Sequence, residues 1–323
     1  MQRMDYAYSV TSVRVKETSL LNASDLEQMM SMSSVDSITT FLGTRGWPIP
    51  KDSKDIADIL RDELHSVWNF LVEIAPDIEM LYPLILRKDY HNLKAAIKSS
   101  LSGVSIDRYF LSPGTVPASL IMEAVSKRTY SILPSPLDVV GEEAYDVLVR
   151  TGDGQLADII IDRAALDAIL ACAKHTKNPL MIRLQELFCA AANIKTAFRS
   201  ARMHKSKDFL ERAISSCDTL DRDALISAAF EGESALLSML SKTEYAEGAL
   251  LLTPSPAAFE KWCDDRAMQM TENVKYIFFG PEPLITYYLT KEAEIKNIRI
   301  LLNAAENNIS YDTVRDRLRR MYA

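Results

Sequence analysis

Three segments of the chain repeat one pattern of polar and apolar positions: Asn, then Leu or Ile, then a base, with an apolar residue four places beyond the Leu or Ile. Residues 89–97 carry it as Asn92-Leu93-Lys94, residues 190–198 as Asn193-Ile194-Lys195 and residues 294–302 as Asn297-Ile298-Arg299. The spacings are nearly constant, 193 − 92 = 101 and 297 − 193 = 104. At offsets −3, 0, +4 and +7 from the Leu or Ile stand Tyr90/Leu93/Ile97/Ser100, Ala191/Ile194/Phe198/Ala201 and Ile295/Ile298/Leu302/Ala305. Those offsets share one face of a 3.6-residue helix, so each copy predicts a helix with a core-facing stripe. The last position is small each time, which lets a second helix approach closely. Repetition at a fixed period means one structural unit used several times, and such arrays usually bind rather than catalyse.

The Asn itself runs against this pattern, because Asn inside a helix is worse than Ala by up to ~0.7 kcal/mol. Two explanations stand: an amide that bonds the backbone of a neighbouring loop and so fixes how modules dock, or a tolerated surface Asn inherited by duplication. A second signal recurs in step. Pro48 and Pro50, Pro134 and Pro136, and Pro254 and Pro256 each follow an apolar segment and precede a long helical one. Prolines at i and i+2 stop a helix and stiffen the joint. From the second proline to the Asn the middle interval is the longest, which places an insertion around residues 150–154.

In weaker form, Ser12-Val13-Arg14-Val15-Lys16 occupies the slot of the Asn helix ahead of the first Pro pair. A short amphipathic segment then follows each such helix, at residues 25–30, 118–123, 207–214 and 311–318. The expected division is a first helical module at 1–88, a second at 89–188, a third at 189–297 and a closing half-module at 298–323 that completes the first. An open array needs polar caps, and neither end is polar: Tyr6, Tyr8, Val10, Val13 and Val15 mark one, Ile298, Ile300, Leu301 and Leu302 the other. The expectation is therefore an all-α chain of three similar modules in a closed, pseudo-threefold arrangement, in preference to an open solenoid.

Composition agrees with helix. Only 10 of 323 residues are glycine, roughly 3% against the usual ~7%. Hydrophobic residues make up 48% and charged residues 25%, as in an ordinary globular chain. A net charge of −7 argues against nucleic acid or an anionic membrane as the main partner. Cys172, Cys189, Cys217 and Cys263 are scattered without a CxxC pair, which reads as buried small hydrophobes in a reducing compartment. The start lacks a leader-like apolar stretch, and runs such as residues 159–163 are broken by charge well short of the ~18 residues of a membrane span, so no direct insertion is expected.

The search for chemistry is mostly negative. Gly43-Thr-Arg-Gly46 and Gly152-Asp-Gly154 lack the remainder of a phosphate loop and read as turns. His65, His91, His175 and His204 show no metal-ligand spacing, so neither metal nor cofactor is expected. Cys189 has no local mark of a nucleophile. Asp264 and Asp265 diverge on a helix and read as a solvated face. Two basic clusters remain, Arg199, Arg202, His204, Lys205 and Lys207, and Arg315, Arg317, Arg319 and Arg320. They fit either compensation of helix dipoles or docking of an acidic partner helix.

Residues 280–299 carry Gly280-Pro281-Glu282-Pro283-Leu284, Tyr287-Tyr288-Leu289 and Lys291-Glu292-Ala293-Glu294-Ile295-Lys296-Asn297-Ile298-Arg299. This stretch resembles the C subunit of bacterial and archaeal V-type (A-type) ATPases, the counterpart of the eukaryotic V-ATPase d subunit. Tyr6-Ala7-Tyr8, Val13-Arg14, Glu17 and Leu20-Leu21 resemble the family's first helix, and Val314-Arg315-Asp316-Arg317-Leu318 its end. The chain departs from the family at residues 9–12, usually rich in Ala and Asn, and at the insertion in the second module. The resemblance implies an all-helical, funnel-shaped, non-catalytic spacer of the central rotor. One end would receive the rotor shaft subunit with its small companion, and the other would sit on the membrane rotor ring. Such a protein would be cytoplasmic and bound to the membrane only through the complex. On this view Asn92, Asn193 and Asn297 set module geometry, Lys94, Lys195 and Arg299 line a central socket, and Arg202, Lys205, Arg315 and Arg319 are further contact candidates. A free-standing helical scaffold for soluble partners is the competing reading, and an enzyme a remote third.

Overall fold

The computed structural model describes residues 3–32, 34–49, 55–102 and 110–322, and every regular element among them is helical apart from one isolated bridge, Cys217 to Leu220. All three patterned segments are helices: the Asn92 helix (Arg87–Ser102), the Asn193 helix (Pro179–Arg202) and the Asn297 helix (Glu282–Glu306). Their stripes are buried as the periodicity requires, except that Ser100 is exposed and Ala305 half-buried. The weaker first copy lies in Ala7–Glu17, and the four following segments form or begin Ala23–Met30, Ala118–Lys127, Lys207–Ala213 and Tyr311–Arg315.

Local chemistry starts and stops these helices. Pro136 is the N-cap of Leu137–Thr151 and Pro256 opens Pro256–Met270, positions where a missing N–H costs nothing. Of the first proline pair, Pro48 is described and Pro50 lies outside the described residues. The expected insertion is a sharp helix-to-helix corner. Gly152, at φ 67°, ends one helix, and the Asp153 carboxylate accepts from the N–H groups of Gln155 and Leu156 to start Gly154–His175. Gly43 departs from its expected turn: it sits inside Val35–Thr44, and the chain leaves the helix only toward Gly46, at φ 85°.

The chain divides into two compact units, Met1–Ile78 with Ala257–Ala323, and Glu79–Pro256. In the first, the Asn297 helix is the central element and packs on Ala7–Glu17, Val35–Thr44 and Ile56–Ile74. Ile295, Ile298, Leu301 and Leu302 join Leu21, Leu26, Met29, Ile38, Leu42 and Leu60 in one core. Tyr288 meets Trp68 edge-on at 6.0 Å and Tyr287 meets Phe70 at 5.7 Å, the geometry aromatic quadrupoles prefer. In the second unit, Tyr90, Leu93, Ala96 and Ile97 pack with Ile121, Val125, Tyr130, Val140, Tyr145 and Ile161. The Asn193 helix lies against Gly154–His175, Lys207–Ala213 and Arg222–Glu231.

A buried charge group crosses the first unit. Lys291 Nζ lies 2.6 Å from Glu63 Oε1 and 2.7 Å from Glu294 Oε2, over the Trp47 ring at 4.9 Å, and all three side chains are less than a tenth exposed. Glu294 also accepts from the Leu21 N–H at 2.7 Å, so it ties the helix to the loop ahead of Ala23–Met30. Burial opposes the ammonium, but Glu294 and Glu63 outweigh it and hold the Lys291 pKa above the ordinary lysine value. Burial raises the Glu294 pKa in spite of Lys291.

Replacing Lys291 by Met leaves two carboxylates facing each other without a cation. The expected loss is about 3–5 kcal/mol, read from urea unfolding at neutral pH; a loss below ~1 kcal/mol would show that water screens the group. Alkaline pH acts on the same unit. Burial pushes Tyr6 and Tyr287 up to about 12 from 10.0, and Lys291 shifts upward too. Each group holds its proton more tightly folded than unfolded, so its contribution is complete below the unfolded value and disappears as pH rises through the folded one. The thermal midpoint is expected to fall steeply between pH 10 and about 12, followed by circular dichroism.

Candidate functional site

An asparagine amide can donate and accept at once, which matches what one peptide unit offers. Each repeated Asn uses that match. Asn92 Nδ2 donates to the Leu111 carbonyl at 2.9 Å while its Oδ1 accepts from the Leu111 N–H at 2.8 Å. Asn193 clamps Ser215 in the same way, at 2.8 and 3.1 Å, and Asn297 clamps Arg319, at 3.0 and 2.7 Å. The three amides are at most 1% exposed. Their targets sit 19, 22 and 22 residues downstream, in the segment beyond each helix. The first copy has no amide in this slot. There Arg14 reaches the carbonyls of Val274 and Ile277 at 2.8 and 3.1 Å and pairs with Glu17.

Carboxylates reinforce two of the clamps, a device the sequence reading missed. Asp89, one turn ahead of Asn92 and fully buried, accepts from the N–H groups of Thr115 at 3.0 Å and Val116 at 3.3 Å. Burial raises its pKa, against the pull of those donors. Gly114 lies so close that a Cβ there would collide with the Asp89 carboxylate. Glu186, two turns ahead of Asn193, accepts from the Asp218 N–H at 2.8 Å. A lone acidic residue on a helix carries no sequence mark of such a partner, because the donors are backbone groups.

The bases separate into two groups. Lys94 and Lys195 come together: with Arg87, His91, Arg199 and Asp162 they line a cleft of about 250 Å³. Lys94 pairs with Asp162, whereas the guanidiniums of Arg87 and Arg199 have no ion-paired partner among the described residues. The cleft therefore carries a surplus of positive charge. Arg299 is exposed on the Asn297 helix in the other unit. Arg202 pairs with Glu233 at 2.9 Å and lies over the Phe198 ring at 4.7 Å, and Lys205 donates to Gln155 Oε1 at 2.7 Å. The Arg202 hydrogen bond lowers the Glu233 pKa. Arg315 forms a two-bonded pair with Glu27.

Arg319 is 14% exposed and holds Asp264 at 3.0 Å, while Asp264 also takes Lys296 at 2.7 Å. Asp265 accepts from the Arg320 N–H at 2.7 Å and pairs with Lys261. The acidic pair thus joins Pro256–Met270 to the clamped segment, which corrects its reading as a solvated face. Arg317, Arg319 and Arg320 lie beyond the five-residue helix Tyr311–Arg315, whose last residue is Arg315. Among the described residues no cluster of His, Cys, Asp and Glu is arranged to hold a metal ion, and no helix is long and apolar enough to cross a membrane.

Removing the Asn193 clamp leaves the N–H and C=O of fully buried Ser215 without partners, whereas Leu111, the target of Asn92, is exposed. Asn193→Ala is expected to lower stability by about 2–3 kcal/mol in urea unfolding, and Asn92→Ala by about 1 kcal/mol. Asn193→Asp is expected to do no better, since a carboxylate cannot donate to the Ser215 carbonyl and is costly to bury. A change within ~0.5 kcal/mol would mean that water replaces the amide.

A sequence model described as ATP synthase (C/AC39) subunit matches residues 9–317. The chain is similar to the C subunit of the V-type sodium ATPase of Enterococcus hirae, 26% identical over 326 residues that cover 99% of each chain. It is also similar to the C subunit of the A-type ATP synthase of Methanosarcina acetivorans, 24% identical over 97% of this chain and 92% of the relative. The C subunit of the V-type ATP synthase of Thermus thermophilus matches at 24% identity over 60% of this chain and 63% of the relative. The chain belongs to the ATP synthase (C/AC39) subunit family, as a non-catalytic member of the assembly.

Proposed function

We propose that the chain is a central-stalk rotor element that couples the shaft of a catalytic head to a membrane rotor ring and transmits torque for proton or sodium transport. The observation that carries this reading is the triply repeated amide clamp. A coupling piece must turn without yielding, and buried bidentate bonds between a long helix and a remote segment resist shear better than side-chain packing alone. Of the three modules, 1–88 holds the first-copy equivalent, 89–188 holds Asn92, and 189–297 holds Asn193 and ends at Asn297, with 298–323 closing the first. That closure is supported by Ile298, Leu301 and Leu302, which lie in one core with Leu21, Leu26 and Met29.

The partners are the rotor shaft subunit with its small companion, and the membrane ring. The protein reaches the membrane through these partners. The basic cleft beside Lys94 and Lys195 is the contact for acidic side chains of the shaft, with Arg299 as the corresponding base of the third copy. Charge of this kind steers association and fixes register more than it adds raw affinity.

A tagged chain is expected to co-purify with shaft and ring proteins from membranes solubilised in mild detergent. Charge reversal at Arg87, Arg199 and Arg299 is expected to weaken shaft binding about tenfold at low salt, with far-UV circular dichroism unchanged. Recovery with soluble partners alone, free of shaft and ring, overturns the coupling role in favour of a scaffold. Unchanged shaft binding overturns the contact residues.

A further inference from the structure

One group of side chains at the Asn193 clamp has no part in stiffening it. The same Nδ2 that donates to Ser215 lies 3.8 Å from Cys189 Sγ and 3.9 Å from Cys217 Sγ. Cys189 Sγ also lies 3.7 Å from Ser215 Oγ, and Cys217 Sγ lies 3.9 Å from the Leu220 carbonyl. Cys189 is 2% exposed on the Asn193 helix, whereas Cys217 is half-buried on the turn that closes with Leu220, between the exposed residues Ser216 and Asp218. One sulfur is thus reachable from solvent, and the second waits behind it.

We propose that Cys217 and Cys189 form a thiol–disulfide exchange site that takes a low-molecular-weight disulfide. The Cys217 thiolate attacks one sulfur of the small disulfide, whose S–S bond breaks and whose other half leaves as a thiolate. Cys189 gives up its proton to solvent and attacks the Cys217 sulfur. The Cys189–Cys217 bond forms, and the second half of the small disulfide leaves. Two protein thiols are oxidised, and one disulfide is reduced to two small thiols. The order of attack follows from exposure and from proton affinity together. The neighbouring Cys189 lowers the Cys217 pKa, while Cys217 and burial raise the Cys189 pKa. Glu186 faces the pair and disfavours thiolate on either sulfur; the Lys174 ammonium, 2.8 Å from Asp218 and 3.8 Å from Glu186, offsets it.

The product joins the Asn193 helix covalently to the segment it clamps and closes a loop of 28 residues (217 − 189). Fixing that loop removes freedom from the unfolded chain, so the oxidised form is more stable. Nothing in this site depends on the coupling role, and it is tested without any partner.

The reduced full chain, incubated with excess glutathione disulfide, is digested without reductant and mapped by mass spectrometry. The expected result is one linked pair of peptides, containing Cys189 and Cys217, with the loss of two hydrogens. The thermal midpoint is expected to rise by about 5 °C and to return on reduction. Cys189→Ala should stop at a mixed disulfide of glutathione with Cys217. Cys217→Ser, a one-atom change at a half-buried position, should leave Cys189 as a free thiol. The proposal is overturned if both thiols of the native sequence stay free. It is equally overturned if Cys217 keeps its glutathione, or if the bridge forms through Cys172.

Discussion

A helix buried among other helices gains no hydrogen bonds from its neighbours, because its peptide groups are already paired along its own axis. The irregular segments between helices have no such supply, yet they must lie over the core. The asparagine clamp resolves this conflict by letting a helix offer one amide as a surrogate peptide group. Asn92, Asn193 and Asn297 each satisfy one N–H and one C=O of a downstream segment, at 2.7–3.1 Å. Two bonds in one plane fix both the distance and the direction of the clamped residue. The helix–segment pair then behaves as one body, and the apolar stripe beside the amide is held in register.

Around this element the two units solve their electrostatics differently. The Glu79–Pro256 unit places carboxylates against backbone N–H groups, as at Asp89 and Glu186. The other unit buries a full ion triad, Glu63, Lys291 and Glu294, one negative charge in excess. Such groups rarely add net stability over a well-packed apolar set, but they punish any arrangement that separates them. Because Glu63 and Lys291 come from distant parts of the sequence, only one docking of Ile56–Ile74 on the Asn297 helix satisfies the lysine.

Much of this was legible beforehand, for reasons that can be named. The three helices followed from period, and the burial of their stripes from the apolar offsets. The awkwardness of Asn in a helix pointed to a backbone partner, although its address did not follow: Leu111, Ser215 and Arg319 share no side-chain chemistry, because the clamp touches only their peptide atoms. Asp264 and Asp265 were misjudged because adjacent positions on a helix diverge, and their partners arrive from 32 and 55 residues away. Lys291 and Glu294 stand three residues apart, and nothing in a linear pattern signals that Trp47 and Glu63 close over them. Of the bases, Lys94 and Lys195 share a cleft, while Arg319 proved to be bound up in the Asp264 junction.

The indifference of the clamp to its target's side chain has an evolutionary side. Leu, Ser and Arg occupy equivalent places at a regular interval of 104 (215 − 111 and 319 − 215), and any residue except proline, which lacks the N–H, can present the same pair of atoms. The helix half of each joint therefore has one chemistry that serves, and the other half has many. Over long divergence the receiving segments can acquire new surfaces, and new binding habits, while the frame that carries them keeps its geometry.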